Sequence, residues 1–295
     1  MKILKIESKK ITYTTNKIVS SQSQLPLKAF NDKQHEKKGH RSSHSTLWSS
    51  APSELDLTRD EVHVWCVNFN VFERDIHALR LNLSKDENAK AESFYFYKDK
   101  KNYIGRHAIL RRILGRYLSI APNNINFSYS SHGKPSLCNY SNGDTIHFNL
   151  SHSKGLVLYA ITRGREVGID VERIIPGIMD TQFSSYVFSQ KELYGIQSLP
   201  SDLRMIALFQ YWTRKEAFVK ALGKGLSYDL KKIDVSGAFG ENNIISHRNS
   251  DAHDGCRWSL RDIEVGSGYA ASIVVKGYNW RLKCWKMECD CNYSP

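Results

Sequence analysis

The chain lacks any apolar run long enough to cross a bilayer. Its best candidates, Gly155 to Ile161 and Ala270 to Val275, are strand-sized and bounded by glycine or charge. The opening Met-Lys-Ile-Leu-Lys-Ile-Glu has no apolar core of the signal-peptide kind, so a cytoplasmic protein is the expectation. Cysteine is sparse, six residues at positions 66, 138, 256, 284, 289 and 291 of 295, which excludes a small disulfide scaffold. Cys284, Cys289 and Cys291 with His253 leave a zinc site open beside the simpler reading of free thiols, although the spacing matches no common finger. Neither a complete P-loop nor a Rossmann fingerprint occurs; the stretch Ala221-Leu-Gly-Lys-Gly-Leu226 has glycines but lacks the closing Gly-Lys-Ser/Thr. Those two common ways of holding nucleotide phosphates are thereby removed.

What is present is an ordinary globular composition, 41% hydrophobic and 24% charged, with a formal net charge of +12. Such a charge attracts polyanions without choosing among them. Residues 1–50 carry ten Lys and Arg against three Asp and Glu, so seven of the net charges belong to this segment and the rest of the chain is only moderately basic. Residues 1–58 are rich in Ser, Lys, Gln and Asn with little periodicity and read as a flexible extension, with a short strand possible at Lys2 to Ile6.

Order is expected from Glu61, where His-Val-Trp-Cys-Val-Asn-Phe alternates as a strand does. A helical stretch follows near Phe72 to Leu81, and Ser84 with Glu87 three residues on forms a capping box for another helix. A longer helix over Lys98 to Leu118 puts Tyr103, Leu110, Ile113, Leu114 and Tyr117 on one stripe, and residues 98–117 hold seven Lys or Arg with Asp99 the single acid. Its basic face is either a solvated run or an anion site, and Pro122 is expected to end the element. Gly133-Lys134-Pro135 marks a turn. Strands at Ile146 to Leu150 and Leu156 to Ile161 flank Ser151-His152-Ser153, Gly164 turns the chain, and Val167 to Val171 forms the next strand. Helices near Ser189 to Tyr194 and Asp202 to Leu222, then strands at Trp258 to Ile263 and Tyr269 to Val275, complete an α+β pattern. Each half carries a helix and a small, mainly antiparallel sheet. The expected organisation is an extension 1–58, lobes at 59–165 and 166–276, and a tail at 277–295.

Two places carry the chemistry. In Val167-Gly168-Ile169-Asp170-Val171-Glu172 the apolar residues share one strand face, so Asp170 and Glu172 share the other, with Gly168 leaving room beside them. A solvated strand edge and a metal pair both fit. On the long helix the stripe Met205, Phe209, Trp212, Val219 is interrupted by Glu216, and Lys220 stands four residues later. A structural Glu–Lys pair and a metal ligand both fit. Three oxygen donors without a His or Cys cluster suit a hard cation such as Mg²⁺, which completes its shell with water and substrate phosphate. Gly223 is placed to end the helix and Gly225 to admit a ligand.

Gly133-Lys134-Pro135, Phe148-Asn149-Leu150-Ser151-His152-Ser153, Gly168-Ile169-Asp170-Val171-Glu172 and the run from Trp212 to Leu226, in this order, resemble the Sfp-like 4'-phosphopantetheinyl transferases over about residues 60–275. The resemblance implies two similar α+β lobes forming a pseudo-dimer within one chain, with coenzyme A at their seam and a monomeric enzyme. It implies Mg²⁺, with Mn²⁺ as a substitute, at Asp170, Glu172 and Glu216, and a pyrophosphate contact from Lys220. Arg106, Lys134, Ser151, His152 and Lys90 correspond to coenzyme-binding positions, Arg106 to one that meets the 3'-phosphate. Glu87, Lys90 and Phe94 fit a further family pattern, but Ser93 stands where a basic residue is usual.

The implied reaction moves phosphopantetheine onto a serine of an apo acyl or peptidyl carrier protein and releases 3',5'-adenosine bisphosphate. Asp170, Glu216 and Lys220 are its catalytic residues, Glu216 as the base. Acidic carrier helices would meet a basic, apolar rim near Phe183 to Tyr194. Neither a membrane nor a specific nucleic acid is expected as partner. A basic nucleic-acid-binding module and a non-catalytic coenzyme-A-binding protein are the alternatives.

Overall fold

The computed structural model describes residues 48–69, 76–138, 145–225, 228–237, 243–247 and 257–287. The strand expected at Lys2 to Ile6, and His253, Cys256, Cys289 and Cys291, lie outside the described residues. Among the described residues no helix is long and apolar enough to cross a membrane.

Two five-stranded sheets form the frame. The first runs β1 (Trp48–Ser50), β12 (Arg281–Met287), β2 (Glu61–Asn68), β6 (Leu156–Arg163), β5 (Ile146–Ser153). The second runs β7 (Val167–Arg173), β11 (Tyr269–Lys276), β10 (Trp258–Asp262), β9 (Asn243–His247), β8 (Ile233–Asp234) and is antiparallel throughout. A hairpin of β3 (Phe127–Tyr129) and β4 (Pro135–Leu137) stands apart and turns at Gly133, whose φ of +77° glycine adopts without strain.

The expected mainly antiparallel sheet holds for the second sheet and not fully for the first. β12 pairs in parallel with both β1 and β2. Residues 281–287, expected in a tail, therefore form an inner strand, and 48–50, expected in the extension, form its neighbour. β12 also buries Cys284, whose thiol is pushed up to about 12 by burial and by Cys66 nearby. A buried thiol so held against ionisation is a packing group.

Both faces of the first sheet are covered. Val62, Val64, Leu158 and Ala160 pack against Val167, Ile169, Val171, Ala271, Ile273 and Val275 of the second sheet. Trp65, Val67, Tyr159 and Ile161 face the stripe of α3 (Tyr97–Leu118), where Tyr103, Leu110, Ile113, Leu114 and Tyr117 meet the core as their spacing predicts. Each such aliphatic side chain contributes about 1.5–3 kcal/mol of burial. On its far side the second sheet carries α6 (Ser201–Leu222) across β7 and β11. The order of layers is helix, sheet, sheet, helix.

α3 ends at Ser119 in the left-handed conformation, before Pro122 is reached. The short α1 (Ile76–Arg80) and α2 (Lys85–Glu92) precede it, and α2 begins with the expected capping box of Ser84 and Glu87. The basic face of α3 is partly turned inward. Arg111 is buried 2.5 Å from Glu87 and donates to the carbonyls of Pro122 and Ile125, both at 2.8 Å, while Arg116 bonds the Pro52 and Ser53 carbonyls.

Arg111→Met leaves buried Glu87 and two carbonyls without these bonds and is expected to cost about 3–5 kcal/mol, measurable by urea unfolding. Burial by itself raises the Glu87 carboxyl, but His107, Arg111 and the Ser84 N–H more than offset this and hold it below its ordinary value of 4.5. That stabilisation is present above the unfolded value and fades as pH falls through the lower folded one. The variant's stability should accordingly change less on acidification than the parent's.

Candidate active site

The alternation of β7 separates its two jobs. Val167, Ile169 and Val171 enter the layer between the sheets, and Gly168, Asp170 and Glu172 turn toward α6. Asp170 is 0% exposed and Glu172 8%. Burying carboxylates to this degree requires partners, and β5 supplies them from its own alternate positions. Ser151 Oγ donates to Asp170 Oδ1 at 2.7 Å, and Ser153 Oγ donates to Glu172 Oε2 at 2.9 Å. The Ile169 N–H donates to Asn149 Oδ1 at 3.0 Å, and the Arg173 N–H to Ser153 Oγ at 3.0 Å. The two sheets thus meet at this seam through side chains of one strand and the backbone and acids of the other.

α6 closes the site from the opposite side. Lys220 Nζ lies 2.5 Å from Asp170 Oδ1 and 3.0 Å from the Ile169 carbonyl. Glu216 stands one turn earlier and is 5% exposed. The expected room beside Gly168 is absent, because the helix backbone fills it: a Cβ there would lie 2.0 Å from the Ala217 carbonyl oxygen and 2.4 Å from the Ala221 nitrogen. The glycine brings helix and strand together and does not hold a ligand pocket. One oxygen each of Asp170 and Glu216 is buried outside any hydrogen bond, both residues being held through other contacts. Among the described residues no group of three or more His, Cys, Asp or Glu side chains is already gathered to hold a metal ion.

The apolar stripe read on α6 understates its burial. Every residue from Tyr211 to Val219 is buried, Arg214 and Lys215 included. Arg214 meets Asp262 at 2.6 Å and the carbonyls of Val235 and Gly237, and Lys215 meets Glu192 at 2.8 Å and the carbonyls of Leu230 and Ile233. Sequence spacing gave no sign of these pairs, since each partner comes from a distant element. Their effect is to fix the helix that carries Glu216 and Lys220. Gly223, at φ +68°, ends it as expected.

The remaining predicted residues divide into two groups. Lys134, on the β3–β4 turn, donates to the Ala221 carbonyl at 2.9 Å and to Glu166 at 3.2 Å, so it caps the C-terminal end of α6, where a cation is favoured. Burial lowers its ammonium from the ordinary lysine value, and Glu166 opposes this. Gly225 sits at φ +64°, and a Cβ added there would lie 3.3 Å from the His132 ring. Lys90, Arg106 and His152 belong to the α3 side. Lys90 is exposed above the Tyr103 ring, Arg106 is half-buried with its carbonyl held by the Tyr159 hydroxyl, and His152 shares the β5 face of Phe148 and Leu150. Ser151-His152-Ser153 is therefore strand, not a link between strands, and its serines and histidine point to opposite faces. Ser151 is 0% exposed with its hydroxyl on Asp170.

Residues 166–274 match the 4'-phosphopantetheinyl transferase superfamily, and residues 68–163 match the N-terminal region of a 4'-phosphopantetheinyl transferase. The 4'-phosphopantetheinyl transferase HetI of Nostoc sp. is 33% identical over 238 residues, 81% of this chain and 97% of the relative. The chain belongs to the 4'-phosphopantetheinyl transferase family. The 4'-phosphopantetheinyl transferase Sfp of Bacillus subtilis is 26% identical over 193 residues, 65% of this chain and 82% of the relative. An L-aminoadipate-semialdehyde dehydrogenase-phosphopantetheinyl transferase of Xenopus laevis is 27% identical over 157 residues, 50% of this chain and 52% of the relative. In this transferase chain the two family matches meet between β6 and β7, where the first sheet hands over to the strand bearing Asp170 and Glu172.

Proposed function

We propose that this chain transfers the 4'-phosphopantetheine group of coenzyme A to a serine hydroxyl of an apo acyl or peptidyl carrier protein, releasing 3',5'-adenosine bisphosphate. The observation that carries this reading, in a chain of this family, is the seam where buried Asp170 is held by Ser151 from one sheet and Lys220 from α6. The serine oxygen forms a bond to the β-phosphorus as the bond from that phosphorus to the bridging oxygen breaks. Charge gathers on the pyrophosphate oxygens, so the catalytic demand is positive charge at a fixed place.

The donor set fits Mg²⁺, or Mn²⁺ in its stead: Asp170, Glu172 and Glu216 are all oxygen donors, and magnesium commonly takes one or two carboxylates plus waters and substrate phosphate, so a closed cage is not required beforehand. When bound it would offset the pyrophosphate charge. Lys220 adds an ammonium to the same place, and Glu216 accepts the serine proton. Arg106, Lys90 and His152, on the α3 side, and Lys134, at the end of α6, serve the coenzyme's phosphates, while Ser151 acts through Asp170. The sheet-and-helix pair on each side of the β6–β7 junction supports the two-lobed, pseudo-dimeric organisation with its division near 165, and a site built from one chain supports a monomer. Exposed Tyr186 and Tyr194 support carrier docking at α4 (Thr181–Val187) and α5 (Gln190–Gln197).

The test is the intact mass of apo carrier proteins after incubation with the protein, coenzyme A and Mg²⁺. A gain of one phosphopantetheine group is expected, absent without metal and absent with Glu216→Ala. No gain across fatty-acid, polyketide and peptide carriers, with coenzyme A still bound, would overturn the proposal.

A further inference from the structure

β5 and β7 are neighbouring strands of different sheets, and what joins them is unusual in its regularity. Asn149, Ser151 and Ser153 occupy successive positions on one face of β5, the other face carrying the core residues Ile146, Phe148 and Leu150. Each of the three bonds the next stretch of β7 in turn: Asn149 takes the Ile169 N–H, Ser151 reaches Asp170, and Ser153 reaches both Glu172 and the Arg173 N–H. The outer two fix the backbone of β7 at both ends of the Asp170–Glu172 segment. The inner contacts then grip one oxygen of each carboxylate, Oδ1 of Asp170 and Oε2 of Glu172. Gripping one oxygen sets the direction of the second, because a carboxylate is planar and its strand is already fixed.

We infer that β5 is a template for the acidic strand, and that Ser151 and Ser153 are positioning residues which orient Asp170 and Glu172 for the divalent cation. This rests on the metal role proposed above. Ser153 is the more informative of the two. Its hydroxyl accepts from the backbone and donates to the carboxylate at the same time, so it couples strand position to side-chain direction in a single group. Ser151 shares Asp170 Oδ1 with Lys220, and the hydroxyl holds the carboxylate in place when the ammonium moves to substrate phosphate. Groups that orient metal ligands in this way typically govern about 10–100-fold in metal affinity.

The experiment uses the full-length protein with coenzyme A and Mn²⁺ as probe, free Mn²⁺ being counted by its electron paramagnetic resonance signal, beside thermal unfolding and the Mg²⁺ dependence of transfer. Ser153→Ala is expected to weaken Mn²⁺ binding about tenfold or more. The Mg²⁺ concentration for half-maximal rate should rise in step, with kcat at saturating metal changed much less. Ser153→Thr, which keeps a hydroxyl, should stay within about threefold of the parent, and Ser151→Ala should repeat the alanine result at Asp170. Both alanine variants should unfold within a few degrees of the parent. Unchanged Mn²⁺ affinity in Ser153→Ala, or an equal loss in Ser153→Thr, would overturn the template. Absence of Mn²⁺ binding in the parent itself would instead remove the metal reading of Asp170 and Glu172, and the template with it.

Discussion

Gly168→Ala should be among the most damaging single substitutions available in this chain, although it adds one methyl group. The methyl carbon would lie 2.0 Å from the Ala217 carbonyl oxygen, 2.4 Å from the Ala221 nitrogen and 3.0 Å from the Ala221 Cα. All three are helix backbone, so no side chain can swing away; either α6 lifts from β7 or the strand bends. Lifting α6 is resisted by the Arg214–Asp262 and Lys215–Glu192 pairs on its other sides. Overpacking against backbone so anchored is expected to cost about 3 kcal/mol or more. In a domain of this size that is a fall of roughly 10 °C in Tm. Transfer should suffer further in whatever fraction folds, since lifting the helix separates Glu216 and Lys220 from Asp170. Gly133→Ala is the contrasting variant: it meets nothing within 4 Å, and its cost is the positive φ of +77° alone, about 1–2 kcal/mol. A Gly168→Ala protein as stable and active as the parent would show that the close approach of helix and strand is not needed.

The same glycine illustrates what sequence could and could not say. Alternation in Val167 to Glu172 gave the sharing of a face by Asp170 and Glu172, which depends only on strand geometry. What stands opposite that face depends on a helix some fifty residues away: in the sequence the glycine's small size suggests room for a ligand, and in the fold it is room for backbone. Local signals fared well elsewhere. The stripe of α3, the capping box at Ser84 and the glycine terminus of α6 each involve residues within a few turns of one another. The place of β12 was not legible, because a parallel pairing of Cys284 with both Trp48 and Val64 leaves no local mark.

Charge was the other source of difficulty. Arg111, Arg214 and Lys215 look like surface residues in the sequence, since burial of such groups needs partners that only the fold provides. On α6 the expected amphipathic stripe gives way from Tyr211 to Val219 to a segment buried on all sides, its charges Arg214 and Lys215 matched by Asp262 and Glu192. In β5, by contrast, the period-two polar residues Asn149, Ser151 and Ser153 opposite Ile146, Phe148 and Leu150 were available as a signal. The signal competes with a second local reading, in which Ser151-His152-Ser153 links two strands, and only the pairing with β6 decides between them.

Asp170 and Lys220 decide whether the seam is a structural pair or a catalytic one. Asp170→Asn and Lys220→Met each remove one charge from a pair separated by 2.5 Å, with Asp170 fully buried and the lysine side chain 17% exposed. Breaking such a pair from either side is expected to cost about 3–5 kcal/mol. The double variant removes both charges together, so its loss should be smaller than the sum by about 1–3 kcal/mol, which chemical denaturation of the four proteins would measure. Transfer to an apo carrier protein should follow a different rule. Lys220 would meet the phosphates that gain charge in the reaction and Asp170 would hold the cation that offsets that charge, so each single variant is expected to lose at least about a hundredfold in kcat. The double variant should regain stability without regaining turnover, because a neutral pair restores packing and supplies no charge. Recovery of turnover together with stability would make the pair structural, and the proposed roles of Asp170 and Lys220 in transfer would fall.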